Sequence, residues 1–300
     1  MNSTLSKERI QGAKLVVRLP NWIGDTLMTY PMLLALQNSG IDFVCLGHPW
    51  AAALFSGTDL NIITSPRVKD SRWCHRFYRD YDFEYGLLCP KTLSTVLPMR
   101  FAAIHTTGYH FLSRQRLSYN DNAHTVENYF DLANGFLTRQ LEVQSFNSFI
   151  PIDQKSAVLG EKLLKEKINS EYIVVCPYAT NLHKGKNKEW PFWTEFCAKF
   201  KGSKIVAVVS EEDLDRCRKE FPDLLVISNS LSVSAYVMRE AKFVLANDSG
   251  AMHLASFFGA KVIGLFGATE IEKTRPWYGS YELASDGGFI SVENLLKVLE

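Results

Sequence analysis

No one sign of charge dominates this chain. Its 33 Lys and Arg are met by 32 Asp and Glu, a formal net charge of +1. A chain that grips nucleic acid electrostatically carries a larger basic excess, so no nucleic-acid partner is expected. Long apolar runs are missing as well. The greasiest stretch, residues 243–268, is broken by Asn247, Asp248, Ser249, His253 and Lys261, so no membrane span is expected. The start, MNSTLSKERIQGAK, lacks the apolar segment of a secretory signal. Cysteine is sparse: six residues, at 45, 74, 89, 176, 197 and 217, with no Cys-x-x-Cys among them. That usage suits reduced, buried thiols in a cytoplasmic protein. Glycine-rich phosphate loops are absent too. The segment Arg18–Asp25 holds one glycine, Gly24, and nowhere does Gly-Lys-Ser/Thr occur. Dinucleotide-fingerprint and P-loop chemistry both lose support, and a dehydrogenase reading with them.

What is present is ordinary globular composition, 46% hydrophobic and 22% charged over 300 residues, enough for one large core or two modest ones. Short β-branched runs alternate with helical stretches. Strands are expected at 14–19, 41–46, 61–64 and 84–88, with helices at 25–37, 69–80, 91–102 and 123–135. After a turn-rich stretch near 138–156 the pattern restarts. A helical composition at 161–167 is followed by strands at 172–176, 204–209, 224–228, 243–246 and 262–266, and by helices at 190–200, 211–220, 232–240 and 250–257. The chain therefore reads as two Rossmann-like α/β domains, 1–150 and 151–300, facing each other across a cleft. In such sheets ligands sit beyond the carboxyl ends of the strands, so the loops there carry the candidates.

Asp25 stands where a strand hands over to a helix. It is either a general base or a helix-end carboxylate favoured by the dipole. Asn247-Asp-Ser-Gly-Ala-Met-His253 follows a buried strand and opens a helix. Ser249 and Gly250 there would present backbone N–H groups to an anion, Asp248 could reach a ligand hydroxyl, and His253 could face the same anion. The competing reading is an N-cap plus a packed histidine. Lys184, Lys186 and Lys188 crowd the loop before Glu189-Trp190-Pro191, either to neutralise a diphosphate or as a solvated run. Lys69, Arg72, Arg76 and Arg79 fall at steps of three, four and three, one stripe on a helix, with Trp73 and Phe77 pointing elsewhere. Residues 91–120 add Lys91, Arg100, Arg114 and Arg116 and contain no acid, a surface suited to a phosphorylated acceptor or simply to water.

Taken in order, RLPNWIGDTLMTYP, the His124-Thr-Val-Glu127 stretch expected between the domains, KEWP, NDSGAMHLA and VIGLFGAT resemble glycosyltransferase family 9, the heptosyltransferases of lipopolysaccharide synthesis. The resemblance implies a GT-B fold with an N-terminal acceptor half and a C-terminal donor half. It implies Asp25 as catalytic base, with Thr180, Lys188, Asp248, Ser249, Gly250 and His253 around the donor. Glu211 or Glu212 would hold the nucleoside. The implied reaction moves a heptose from ADP-heptose to the inner core of lipopolysaccharide. Lysine and a helix N-terminus would stabilise the leaving diphosphate, so no metal or other cofactor is expected. The partners are then a nucleotide-sugar donor and a phosphorylated lipid-linked acceptor. The enzyme would be cytoplasmic and would dock peripherally on the inner membrane through the stripe Lys69, Arg72, Arg76, Arg79. Two other readings stay open: a GT-B transferase for a different nucleotide sugar, and a non-catalytic homologue that kept the donor site.

Overall fold

The computed structural model describes residues 13–168, 170–179, 185, 187–267 and 269–299. The chain divides into two compact units, Met1–Ser148 and Phe149–Glu300. Unit 1 runs β1 (Leu15–Arg18), α1 (Ile23–Met28), α2 (Tyr30–Asn38), β2 (Phe43–Gly47), α3 (Ala51–Leu54), β3 (Ile62–Thr64), α4 (Ser71–Asp80), β4 (Tyr85–Leu88), α5 (Leu93–Phe101), β5 (His105–Gly108), β6 (Gln115–Arg116) and α6 (Thr125–Leu137). Unit 2 runs α7 (Gln154–Lys167), β7 (Tyr172–Cys176), α8 (Trp193–Lys199), β8 (Lys204–Val208), α9 (Leu214–Glu220), β9 (Leu225–Ile227), α10 (Leu231–Arg239), β10 (Val244–Asn247), α11 (Gly250–Phe257), β11 (Val262–Leu265), α12 (Ile271–Thr274), β12 (Tyr281–Ala284) and α13 (Val292–Leu299).

Each unit is built on a parallel six-stranded sheet, ordered β3-β2-β1-β4-β5-β6 in the first and β12-β11-β10-β7-β8-β9 in the second. Counted from its own first strand, each follows the same doubly wound order. Strand order reverses between β1 and β4, and again between β7 and β10. The innermost strands LVVR, YIVVC and VLAN are buried at every position, because helices cover both faces. In unit 2, Ile173, Val175, Trp190, Phe196, Leu245 and Ile263 join one continuous core.

Three of the departures from the sequence reading concern residues or segments that it had singled out. The helix expected over 25–37 is two helices broken at Thr29, with a proline at the start of the second. Pro31 has no N–H to give the preceding turn, so it fits a first turn and not a helix interior. The helix expected from 69 begins at Ser71, because the Asp70 side chain accepts from Arg72 N at 2.9 Å and Trp73 N at 3.1 Å. Lys69 is thereby excluded from the helical stripe. His124 does not lie between the domains. It caps α6 inside unit 1, its Nδ1 accepting from Val126 N while Glu127 accepts from His124 N at 2.8 Å.

Helices α7 and α10 meet through Gly160, where a Cβ would stand 2.7 Å from Tyr236 Cγ and 3.0 Å from Tyr236 Cβ. Those atoms are close to the Tyr236 backbone, so rotating the ring gives no relief. Helix propensity favours Ala over Gly by about 0.8–1.0 kcal/mol, whereas overpacking costs about 1–3 kcal/mol. Gly160→Ala is therefore expected to lower stability in urea unfolding despite the better helix former. A gain in stability would show that the helices can part.

Candidate functional site

The reversal of strand order leaves a crevice past the carboxyl ends of the two central strands, and each unit places charged groups there. In unit 1, β1 leads through residues 19–22 into α1. Asp25 lies in the first turn of that helix, where the positive end of the backbone dipole favours a carboxylate. Tyr129, from α6, donates its hydroxyl to Asp25 Oδ1 at 3.2 Å. Burial, and then the Asp25 charge, push the phenol well above its usual value, so it stays protonated and remains a donor. The loop is anchored by Arg18, which is fully buried. Its guanidinium donates to Leu19 O, to Asn21 Oδ1 at 2.7 Å and to Val68 O at 3.3 Å, all neutral oxygens. Desolvation pulls its pKa below the usual value, but an arginine keeps its proton.

Lys69 stands beside this loop, its Nζ 6.0 Å from the centroid of the exposed Trp22 ring. Arg72, Arg76 and Arg79 are exposed on α4, whose Cys74, Phe77 and Tyr78 point inward. The stripe is therefore three arginines, with Lys69 set apart on the loop that precedes them. His48, at the end of β2, was not legible as a neighbour of these groups. Desolvation, then the charges of Arg18 and Lys69, lower its pKa.

In unit 2, β7 ends at Cys176 and β10 at Asn247. Lys188 Nζ meets Asp248 Oδ2 at 3.0 Å, with side chains only 18% and 4% exposed. The next residue, Ser249, is the N-cap of α11 and makes no side-chain cap, and its Oγ is buried without a partner among the described residues. Of the competing reading, Ser249 does stand at the N-cap and His253 is buried, but no side chain makes the capping bond. Gly250 opens the helix, and His253 is buried one turn along it. Glu211 and Glu212 are exposed in the turn between β8 and α9, past the neighbouring strand of the same sheet. Thr180, Lys184 and Lys186 lie outside the described residues.

Sequence reasoning missed Tyr129, whose bond to Asp25 spans 104 positions. It also missed the partners of Asn247, 57 to 71 positions away, and of Glu189, 10 and 27 positions away. Two Asp-x-Asp triplets occur, Asp80–Asp82 and Asp213–Asp215, at the end of α4 and the start of α9. Among the described residues no three His, Cys, Asp or Glu side chains gather as a metal site.

The chain is similar to proteins of known activity. Lipooligosaccharide heptosyltransferase 2 of Campylobacter jejuni strain 81116 is 20% identical over 282 residues, covering 88% of this chain and 84% of that protein. The E. coli ADP-heptose LPS heptosyltransferase II structure superposes with a TM-score of 0.77 at 19% identity, covering 95% of this chain and 97% of that one. A family 9 glycosyltransferase from Veillonella parvula gives 0.78 at 15% identity, covering 96% of each chain. E. coli heptosyltransferase WaaC with ADP gives 0.69 at 17%, covering 95% and 98%. The α/β, GT-B-type fold is shared with these heptosyltransferase structures. Residues 76–287, most of the chain, match the model of glycosyltransferase family 9 (heptosyltransferase), and the protein is a glycosyltransferase belonging to that family.

Proposed function

We propose that this glycosyltransferase is an inverting enzyme that moves a heptose from ADP-heptose to the inner core of lipopolysaccharide. The observation that carries the reading is the Lys188–Asp248 pair just before α11, whose N-terminus receives no side-chain cap, at the strand-order reversal of unit 2. A cation and uncovered backbone N–H groups together suit a diphosphate. In the proposed reaction the acceptor hydroxyl gives its proton to Asp25 as its oxygen bonds to the anomeric carbon. The bond from that carbon to the diphosphate breaks, and ADP leaves with the electron pair. Lys188 and the α11 N-terminus meet the charge that grows on the diphosphate. In this reading Asp248, Ser249, Gly250 and His253 line the donor, Thr180 is assigned to the phosphates with Lys188, and Glu211 or Glu212 reaches the nucleoside. The reading asks nothing of a metal or other cofactor, and turnover in excess EDTA is the direct check.

The acceptor is proposed to be phosphorylated and lipid-linked, reached from the cytoplasm by peripheral docking on the inner membrane. Among the described residues no helix is long and apolar enough to cross a membrane. The exposed arginines of α4, with Lys69 beside Trp22, support the acceptor assignment.

Asp25→Asn keeps the size and the hydrogen bonding and removes the base. Turnover is expected to fall by about 10²–10⁴, with ADP affinity nearly unchanged in calorimetry. Near-normal turnover would remove Asp25 from the mechanism.

Lys188→Ala is expected to weaken ADP by about 1.5–3 kcal/mol, the worth of a charged hydrogen bond, and adenosine far less. Equal losses would mean that Lys188 does not touch the phosphates.

Replacing Arg72 and Arg76 by Ser should raise the acceptor KM at low salt, flatten its salt dependence and leave the donor KM alone. Exposed cations act over a screening length of about 10 Å at 0.1 M salt but only about 3 Å at 1 M. An unchanged acceptor KM at low salt would dismiss the stripe as a docking surface.

A further inference from the structure

Lys188-Glu189-Trp190 belongs to no helix or strand, yet it is held firmly from two sides. On the solvent side Glu189 takes a two-pronged contact from Arg216, Nη1 to Oε1 at 3.0 Å and Nη2 to Oε2 at 2.9 Å, and its Oε1 also accepts from Ala179 N at 3.3 Å. Arg216 in turn stacks 4.1 Å from the Tyr178 ring centroid and donates to Glu220 at 3.0 Å, and Tyr178 donates to the same carboxylate at 2.8 Å. On the core side Trp190 is fully buried, and its indole donates to Ile290 O at 2.8 Å. Its backbone N–H goes to Asn247 Oδ1 at 2.9 Å.

Asn247 is the knot. It is fully buried, and its amide nitrogen donates to Pro177 O at 2.9 Å and to Cys176 O at 3.3 Å. One side chain thus ties together the end of β7, the end of β10 and the segment carrying Lys188. An amide suits this place because it is donor and acceptor at once. An aspartate there would set its lone pairs against two carbonyls, and an apolar side chain would leave all three backbone groups unmet. Asn247 also immediately precedes Asp248. The same residue that fixes Trp190, two positions past the lysine, therefore fixes the acid that the lysine meets.

We infer that Asn247 is a positioning residue for donor binding, with the Glu189–Arg216 pair as its solvent-side counterpart. Together they hold the flexible Lys188 stem where its ammonium meets both Asp248 and a diphosphate. This rests on the reading of Lys188 as a phosphate ligand. A lysine is a point charge on a four-carbon stem, so its contribution depends on where the backbone holds it. Misplacement by about 1 Å is enough to lose about 10²-fold in a well-oriented site.

The test is calorimetric titration of ADP and of adenosine into the full chain, using wild type, Asn247→Ala, Lys188→Ala and the double variant. Asn247→Ala is expected to weaken ADP about tenfold and adenosine less than about threefold. In the Lys188→Ala background it should add little further loss of ADP, since residues that act through one another are not additive. Equal losses of both ligands, or additive losses of ADP, would make Asn247 merely structural and overturn the inference. If Lys188→Ala alone leaves ADP affinity intact, the reading of Lys188 falls, and the inference with it. That result is distinct from a Lys188 effect accompanied by additivity, which overturns the positioning role alone. Should Asn247→Ala fail to fold, Arg216→Gln opens the same tripeptide from its solvent side without touching the core. It is expected to reproduce the ADP-selective, non-additive loss, and if it leaves ADP affinity unchanged the inference fails.

Discussion

A parallel sheet covered on both faces leaves polar chemistry nowhere to go except past its strand ends, and both units of this chain obey that constraint. Crossover helices return the chain each time, so every strand delivers its following loop to the same edge. Where the strand order reverses, the helices depart to opposite sides and a crevice opens. Asp25 follows β1, Lys188 follows β7 and Asp248 follows β10. Within unit 2, Lys188 and Asp248 did not need to be near each other in sequence, because the topology of that sheet gathers them. The buried runs LVVR, YIVVC and VLAN matter to function in this sense: they fix the points from which the charged loops start.

Holding charges at such an edge has a cost that shapes the neighbouring residues. Lys188 and Asp248 are mostly withdrawn from water, and a buried pair returns little net stability against its desolvation. Its presence past the strand ends is in keeping with the binding role proposed for it. Ser249 Oγ beside it has no partner among the described residues, but the polar groups that hold the neighbouring backbone are matched. Asn247 meets three backbone groups, and Glu189 meets Arg216 and Ala179 N. Arg18 in unit 1 follows the same logic, its buried guanidinium shared among neutral oxygens of two loops.

The central strands were legible because β-branched runs buried on both faces have few alternatives to a parallel sheet. Strands β5, β6 and β12 were not. The first reads His-Thr-Thr-Gly, the second is two residues long, and both owe their form to neighbours, as where Thr107 pairs with Gln115. Candidate residues were legible where a local pattern marked them, as with Asp25, Lys188 and the Asp248–His253 segment. Contacts made only through the fold were not: Tyr129 with Asp25, Arg216 with Glu189, and Pro177 O with Asn247. The basic stripe shows the intermediate case. Spacing identified Arg72, Arg76 and Arg79, but spacing alone cannot say where a helix begins, and the Asp70 cap placed Lys69 outside it.

The two units share a topology and invert its charge. In unit 1 a cation is buried without an ionic partner among its hydrogen bonds: Arg18 lies within the fold on neutral oxygens, while the half-buried Asp25, bonded to Tyr129, carries the anionic charge past β1. In unit 2 the anion is the buried member, with Asp248 at 4% exposure, and Lys188 at 18% is the more accessible charge. The general base proposed at Asp25 would have to offer a lone pair to an incoming hydroxyl, and a neutral donor such as Tyr129 bonds that carboxylate without protonating it. A departing diphosphate needs the opposite, a cation and backbone N–H groups fixed before its charge develops, so that little reorganisation remains at the moment of transfer. One doubly wound scaffold can supply either, because the sheet sets only where the loops begin. In the proposed reaction unit 1 is asked for a base and unit 2 for an anion site, and the different charges the two folds leave at their strand ends are compatible with that division.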